Sequence, residues 1–200
     1  VSESRELNRR LSYHASHDLL TGLVNRREFE SRLERSLKSA KARETSYALL
    51  YLDLDQFKII NDSCGHGAGD TLLTQLGALL KAKIRWRDTL ARLGGDEFGL
   101  LLESCSMEEA TRTAEMLREA IKDHKFTWDD RTFRLGVSIG VVPITGDNEN
   151  VATLITRTMP SAILRNACCE MRRSSNLPIQ VPAIATTISN GAYIRSWPWK

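Results

Sequence analysis

The pentapeptide Gly94-Gly95-Asp96-Glu97-Phe98 constrains this chain more than any other stretch. It lies between two apolar runs, Thr89-Leu90-Ala91-Arg92-Leu93 and Phe98-Gly99-Leu100-Leu101-Leu102. Apolar runs joined by paired glycines predict a β-hairpin. That hairpin would carry two adjacent carboxylates, Asp96 and Glu97, at its tip. Acids in such a place are either solvated or hold something cationic. The glycines, lacking a Cβ, also let a backbone approach a bulky anion closely. Taken alone, the pentapeptide fits an ordinary polar turn equally well.

The sequence upstream separates these readings. Tyr47-Ala48-Leu49-Leu50-Tyr51-Leu52-Asp53 reads as a buried strand ending in an acid, with Asp55 two residues on. Gln56-Phe57-Lys58-Ile59-Ile60-Asn61-Asp62 follows, and then Gly65-His66-Gly67-Ala68-Gly69-Asp70. Asp18-Leu19-Leu20-Thr21-Gly22-Leu23 with Asn25-Arg26-Arg27 precede them, and Val137-Ser138-Ile139-Gly140-Val141 comes after the hairpin. In their order and spacing these landmarks resemble the GGDEF family, the diguanylate cyclases. The resemblance covers roughly residues 13 to 156.

A chain of 200 residues suffices for one domain with a real core. A formal charge of +3, spread rather than blocked, is too mild for a nucleic-acid partner. Cys64, Cys105, Cys168 and Cys169 form neither a CxxC pair nor a metal spacing, so they read as reduced thiols of a cytoplasmic protein. Neither a membrane span nor a signal peptide is visible. The expected location is the cytoplasm, either free or as the cytoplasmic part of a membrane-anchored sensor.

Residues 1–17 read as a linker helix, with Leu7, Leu11 and His14 on one face. Residues 18–156 read as the domain that resembles the GGDEF family. Within it the spacing predicts helices over about Arg26–Arg43, Asp70–Trp86 and Met107–Ile121. Strands are predicted at Tyr47–Asp53, at the two arms of the glycine hairpin, at Phe126–Trp128 and along Thr132–Val142. Asp129-Asp130 turns between the last two, a β-hairpin region toward the C-terminal end. The layered solution to this order is α+β, a mixed sheet flanked by helices. The resemblance implies its palm-like, ferredoxin-related form.

Residues 157–200 depart from the family pattern. Family members continue with an Ala-Asp-x-Ala-Leu-Tyr-x-Ala-Lys helix, a Gly-Arg-Asn-Arg turn and a last strand. This chain runs instead through Thr158-Met159-Pro160 to Trp197-Pro198-Trp199-Lys200, and Pro160 stops a helix extending from Leu154. The tail reads as atypical, frameshifted or disordered. A natural variant and a cloning scar fit it as well.

The resemblance implies a reaction in which two GTP molecules become cyclic di-GMP and pyrophosphate is released. A ribose 3′-hydroxyl attacks an α-phosphate in line. Such chemistry calls for Mg²⁺ (or Mn²⁺), a hard ion that takes oxygen ligands. The family positions for the metal are Asp53, the carbonyl of Leu54, and Asp96. Glu97 is the family's candidate for activating the 3′-hydroxyl, although some schemes give that role to Asp96. Asn61 and Asp70 match the guanine-contacting positions, and an amide with a carboxylate suits that base. Asp70 also fits a helix N-cap before Thr71-Leu72-Leu73. Phe57, Lys58, Gly94 and Gly95 complete the expected substrate site, with backbone N–H groups around Gln56 and Phe57 toward the phosphates. Arg85-Trp86-Arg87-Asp88 matches the family's product-inhibition motif through Arg85 and Asp88, and equally suits a basic helix end.

Each domain of this family carries one GTP, so catalysis implies a homodimer. GTP and cyclic di-GMP are the expected ligands. A sensory domain upstream and a phosphodiesterase (EAL) domain downstream fit a longer protein. A non-catalytic GTP- or cyclic di-GMP-binding regulatory module is the alternative, because the family's phosphate-facing Lys and Arg find no match in the tail. Two decoys are set aside. Gly136-Val137-Ser138-Ile139-Gly140 has the GxSxG pattern but a continuing strand. Gly65-His66-Gly67-Ala68-Gly69 lacks a dinucleotide loop's spacing and βαβ context.

Overall fold

In the computed structural model, residues 13–43, 46–147, 150–158 and 192–195 are described. The strands are β1 (Val24–Asn25), β2 (Tyr47–Asp55), β3 (Thr89–Gly94), β4 (Glu97–Glu103), β5 (Phe126–Trp128), β6 (Arg131–Phe133), β7 (Gly136–Ile144) and β8 (Ala192–Arg195). The helices are α1 (Arg26–Arg43), α2 (Phe57–Cys64), α3 (His66–Lys81), α4 (Met107–Asp123) and α5 (Val151–Thr158). Six strands form one mixed sheet in the order β1-β3-β4-β2-β7-β8, and β5-β6 is a separate hairpin. The fold is the expected α+β architecture.

β2 is the axis of the sheet. It pairs antiparallel with β4 from Tyr47↔Glu103 to Asp53↔Glu97, and with β7 from Tyr47↔Ile144 to Asp55↔Gly136. Side chains alternate across a strand, so β2 serves two cores. Ala48, Leu50, Leu52 and Leu54 join α2, α3 and α4 through Phe57, Leu72, Leu76, Leu117 and Ile121. Leu49 and Tyr51 point the other way, to Phe29, Leu33 and Leu37 of α1 and Leu154 of α5. A strand buried on both faces explains why Tyr47–Leu52 is apolar almost throughout.

Helix boundaries follow local chemistry. Ser106 and Glu109 cap α4 reciprocally, Glu109 N donating to Ser106 Oγ at 3.2 Å and Ser106 N to Glu109 Oε2 at 3.0 Å. α5 is described from Val151 to Thr158, and Pro160 lies outside the described residues. Asp129 and Asp130, with φ of 45° and 62°, make the tight turn expected between β5 and β6.

Several expectations need correction. The helix expected at Asp70–Trp86 is α3, which begins four residues earlier and ends at Lys81. Gly65, not Asp70, precedes it, so Asp70 is an exposed second-turn residue and no N-cap. α2 has no signal in the sequence, because eight residues are too few to display a period. The long strand expected at Thr132–Val142 is two strands broken at Arg134-Leu135, and the second continues through Pro143. Ser138 lies within β7 and donates to Asp55 Oδ1 at 2.9 Å, which rules out a nucleophile elbow. The tail does supply one strand, since β8 pairs antiparallel with Ser138–Val141. Tyr13–Ser16 is helical, while the rest of the expected linker helix, Cys168, Cys169 and most of the tail lie outside the described residues.

Candidate functional site

The acidic residues meet where β2 runs out of the sheet. Asp53 is the cross-strand partner of Glu97 on one side and of Ser138 on the other. Leu54 N donates to Asp96 O at 3.3 Å, tying the end of β2 to the turn that carries the second carboxylate. Asp53, Leu54, Asp96 and Glu97 are thereby gathered from two neighbouring strands. Asp53 Oδ2 is shielded from solvent. Among the described residues, no three His, Cys, Asp or Glu side chains converge into a metal cage. The donors here are oxygens only, two carboxylates and a carbonyl. That sparse hard set suits Mg²⁺, which keeps waters and shares substrate phosphates, and would not suit a softer metal.

The hairpin tip is held from outside. The β3–β4 register shifts between Arg92 and Gly94, and Gly94 and Gly95 then take φ of 146° and 51°. A Cβ on either glycine would meet nothing within 4 Å, so conformation and not crowding selects glycine here. Arg92 donates to Gly95 O through Nε at 3.1 Å and Nη2 at 2.9 Å, and its Nη1 lies 3.3 Å from Asp18 Oδ2. Arg26 donates through Nε to Leu93 O at 2.7 Å and pairs with Glu97 Oε2 at 3.4 Å. Two guanidinium groups thus grip the carbonyls on both sides of the bulge. Asp18 is fixed in turn, accepting from Thr21 N at 2.9 Å and Thr21 Oγ1 at 2.7 Å. Burial pushes the Asp18 carboxyl up, but the Thr21 hydrogen bonds and the Arg92 charge outweigh it and hold it below the usual range. Asp18, Arg26 and Arg92 stood in the sequence only as landmarks. Their part was invisible there because the contacts that join them, Arg26 to Leu93 and Glu97 and Arg92 to Asp18, each span dozens of residues.

Tyr51 lies beneath this cluster and is 1% exposed. Burial first, then the neighbouring Glu97 carboxylate, keep its phenol protonated far above the ordinary range.

The base-reading candidates sit on the adjoining helix pair. Gln56 takes a left-handed φ of 64°, which turns the chain from β2 directly into α2. Phe57 is buried in the core, so only its backbone faces outward, while Lys58 is exposed. Asn61 crosses from α2 onto α3 and rests against Gly69, and its Oδ1 is buried with no hydrogen-bond partner in the structure. Asp70 follows directly. Asn61 touches Gly69, the residue before Asp70, so the two candidates lie on adjoining parts of the α2–α3 pair.

Arg85 and Asp88 lie elsewhere. Arg85 N donates to Asp88 Oδ2 at 3.1 Å and Asp88 N to Arg85 O at 3.1 Å, closing a tight turn. Asp88 Oδ1 also accepts from Glu103 N at 3.4 Å, and Arg85 reaches Glu109 at 3.7 Å. A cavity of about 220 Å³ adjoins this turn. Glu103 and Glu97 are the two ends of β4, so this turn stands ~20 Å from the acidic cluster. Trp86, between the two residues, is 97% exposed.

Comparison with known proteins bears on the family and the fold. Residues 15–162 match the family model described as "Diguanylate cyclase, GGDEF domain". The chain is 45% identical over 157 residues to the probable diguanylate cyclase DgcE of Escherichia coli K12, covering 78% of this chain and 14% of that protein. It therefore spans only a small part of that relative. The solved GGDEF domain of TpbB (YfiN) from Pseudomonas aeruginosa is 34% identical, with a TM-score of 0.66 over 80% of this chain and 90% of that one. At 23% identity, the coiled coil and GGDEF domain of DgcB from Caulobacter crescentus, solved with c-di-GMP, shares the fold with a TM-score of 0.73 over 88% of this chain and 90% of that one. Motifs, fold and family match coincide, and the chain belongs to the GGDEF family.

Proposed function

We propose that this domain is a diguanylate cyclase, condensing two GTP into cyclic di-GMP and pyrophosphate. The observation that carries the reading is the meeting of Asp53 and Leu54 with Asp96 and Glu97, beside the Asn61–Asp70 pair. Asp53, Asp96 and the Leu54 carbonyl would hold Mg²⁺ (or Mn²⁺), which when bound neutralises phosphate charge and polarises the attacking hydroxyl. Asn61 and Asp70 take the guanine edge, the carboxylate accepting from its ring N–H and amino group. Backbone N–H groups at Gln56 and Phe57, with Lys58, Gly94 and Gly95 alongside, border the phosphates. Glu97 accepts the proton of the 3′-hydroxyl as the new P–O bond forms and the bond to pyrophosphate breaks. One domain presents one such site, so the complete reaction takes two domains face to face. Arg85 and Asp88, at the far end of β4, suit feedback by the product.

A second reading rests on the tail, which offers no match to the family's phosphate-facing Lys and Arg. On that reading the domain binds nucleotide and regulates without turnover. Incubation with GTP and Mg²⁺, followed by nucleotide chromatography, decides between them. Cyclic di-GMP is expected from the parent and none from Asp53→Asn or Asp96→Asn, with thermal stability retained in both. GTP binding without product supports the regulatory module. Full turnover by either folded variant ends the metal assignment.

A further inference from the structure

Tyr51 is a buried polar side chain that the reaction above leaves unused. Its two nearest neighbours across the sheet are glycines, Gly99 on one side and Gly140 on the other. Phe29 covers the Gly99 gap, its ring 2.8 Å from where a Cβ would stand. The Tyr51 ring fills the space between these glycines, and phenylalanine would fill the same volume with no polar atom to desolvate. A sealed hydroxyl without a bond costs stability. The Tyr51 hydroxyl is cut off from solvent and makes no hydrogen bond of ordinary geometry. It feels Glu97 most strongly among the charged side chains, then Arg26 and Asp53. The strand period explains the proximity: Tyr51 and Asp53 project from one face of β2, and Glu97 is the partner of Asp53 across the ladder. Arg26 reaches the same Glu97 carboxylate at 3.4 Å.

We propose that the Tyr51 hydroxyl is a positioning group for Glu97, donating to its carboxylate from below. A small rotation of the glutamate closes the contact and leaves one carboxylate oxygen aimed at the substrate. The phenol keeps its proton throughout. The 3′-hydroxyl proton still goes to Glu97, so the inference rests on the role given to that residue above. Core filling alone predicts that Tyr51→Phe is silent or stabilising.

The test compares Tyr51→Phe with the parent in two ways. The side-chain carboxyl carbon of Glu97 is followed by NMR in ¹³C-glutamate-labelled protein without nucleotide, its resonance assigned through Glu97→Gln. Turnover of GTP is measured alongside. Tyr51→Phe is expected to move the Glu97 resonance, to leave the melting temperature and the KM for GTP as they were, and to lower kcat about tenfold. An unmoved Glu97 resonance overturns the proposal whatever the turnover. A moved resonance with unchanged kcat overturns the catalytic consequence. A parent that makes no cyclic di-GMP defeats the function instead, and the resonance still decides the contact.

Discussion

Replacing Gly69 by alanine should separate binding from stability. A Cβ at Gly69 would drive into Asn61 Oδ1 and stand 3.0 Å from Phe57 Cζ. The Asn61 amide must therefore swing away. Off-rotamer displacement costs about 0.5–1.5 kcal/mol. Alanine in place of glycine in a helix interior returns about 1 kcal/mol. The displaced Oδ1 leaves no hydrogen bond behind in the protein, because it has none. The terms nearly cancel, so thermal stability should stay within about 1 kcal/mol of the parent. The base contact does not survive, and hydrogen bonds of that kind are worth roughly 0.5–1.5 kcal/mol each before any steric obstruction. GTP affinity, by calorimetry, should fall about tenfold or more. Gly67→Ala is the control, because a Cβ there meets nothing within 4 Å. It should stabilise by about 0.5–1 kcal/mol and bind GTP as the parent does. Parent-like GTP binding by Gly69→Ala, or an equal loss in Gly67→Ala, would refute the reasoning.

Arg92→Ala should lower the domain's stability by roughly 2 kcal/mol, a fall of about 4–8 °C in melting temperature for a domain of this size. A double-mutant cycle with Asp18→Asn should show coupling above 0.5 kcal/mol, and additive effects would remove the ion pair from the account. The Asp18 carboxyl lies below its usual range when folded, so its contribution is whole above an unfolded value of about 4 and fades as pH drops further. Asp18→Asn should accordingly flatten the acid limb of a stability–pH curve, read by urea unfolding. For feedback, Arg85→Ala should bind cyclic di-GMP at least tenfold more weakly than the parent while GTP affinity holds, because ~20 Å separates the two places. Parent-like product binding would return the basic turn to a solvated surface.

What the sequence disclosed depended on how local each signal was. α1 and α4 announced themselves by apolar residues three and four apart, and β2 by an unbroken apolar run. The start of α3 stayed hidden because Gly67 and Gly69 are poor helix formers in its first turn. Gly69 is where propensity yields to packing, since only a missing Cβ lets Asn61 lie across the helix. The far end of α3 was overextended because Lys83, Ile84 and Arg85 continue a helical composition through what is a turn. The acid cluster was legible through the family landmarks. The arginines that hold the hairpin tip were not, because Arg26 and Leu93 are 67 residues apart and no local pattern joins them. β8 carries no period to betray it and pairs with a strand some fifty residues earlier.

The two acids proposed to share a metal stand on supports of different stiffness. Asp53 lies two residues before the end of a strand hydrogen-bonded to neighbours along both edges, whose amides should exchange with solvent only when the whole domain opens. Asp96 rides on a turn held by two guanidinium groups and a 3.3 Å amide contact. Its amides should exchange through a local opening that leaves the sheet intact. The distance between the two carboxylates is then a fluctuating coordinate with one fixed end. A nucleotide that favours the closed turn would slow exchange at Gly94–Glu97 and leave β2 unchanged.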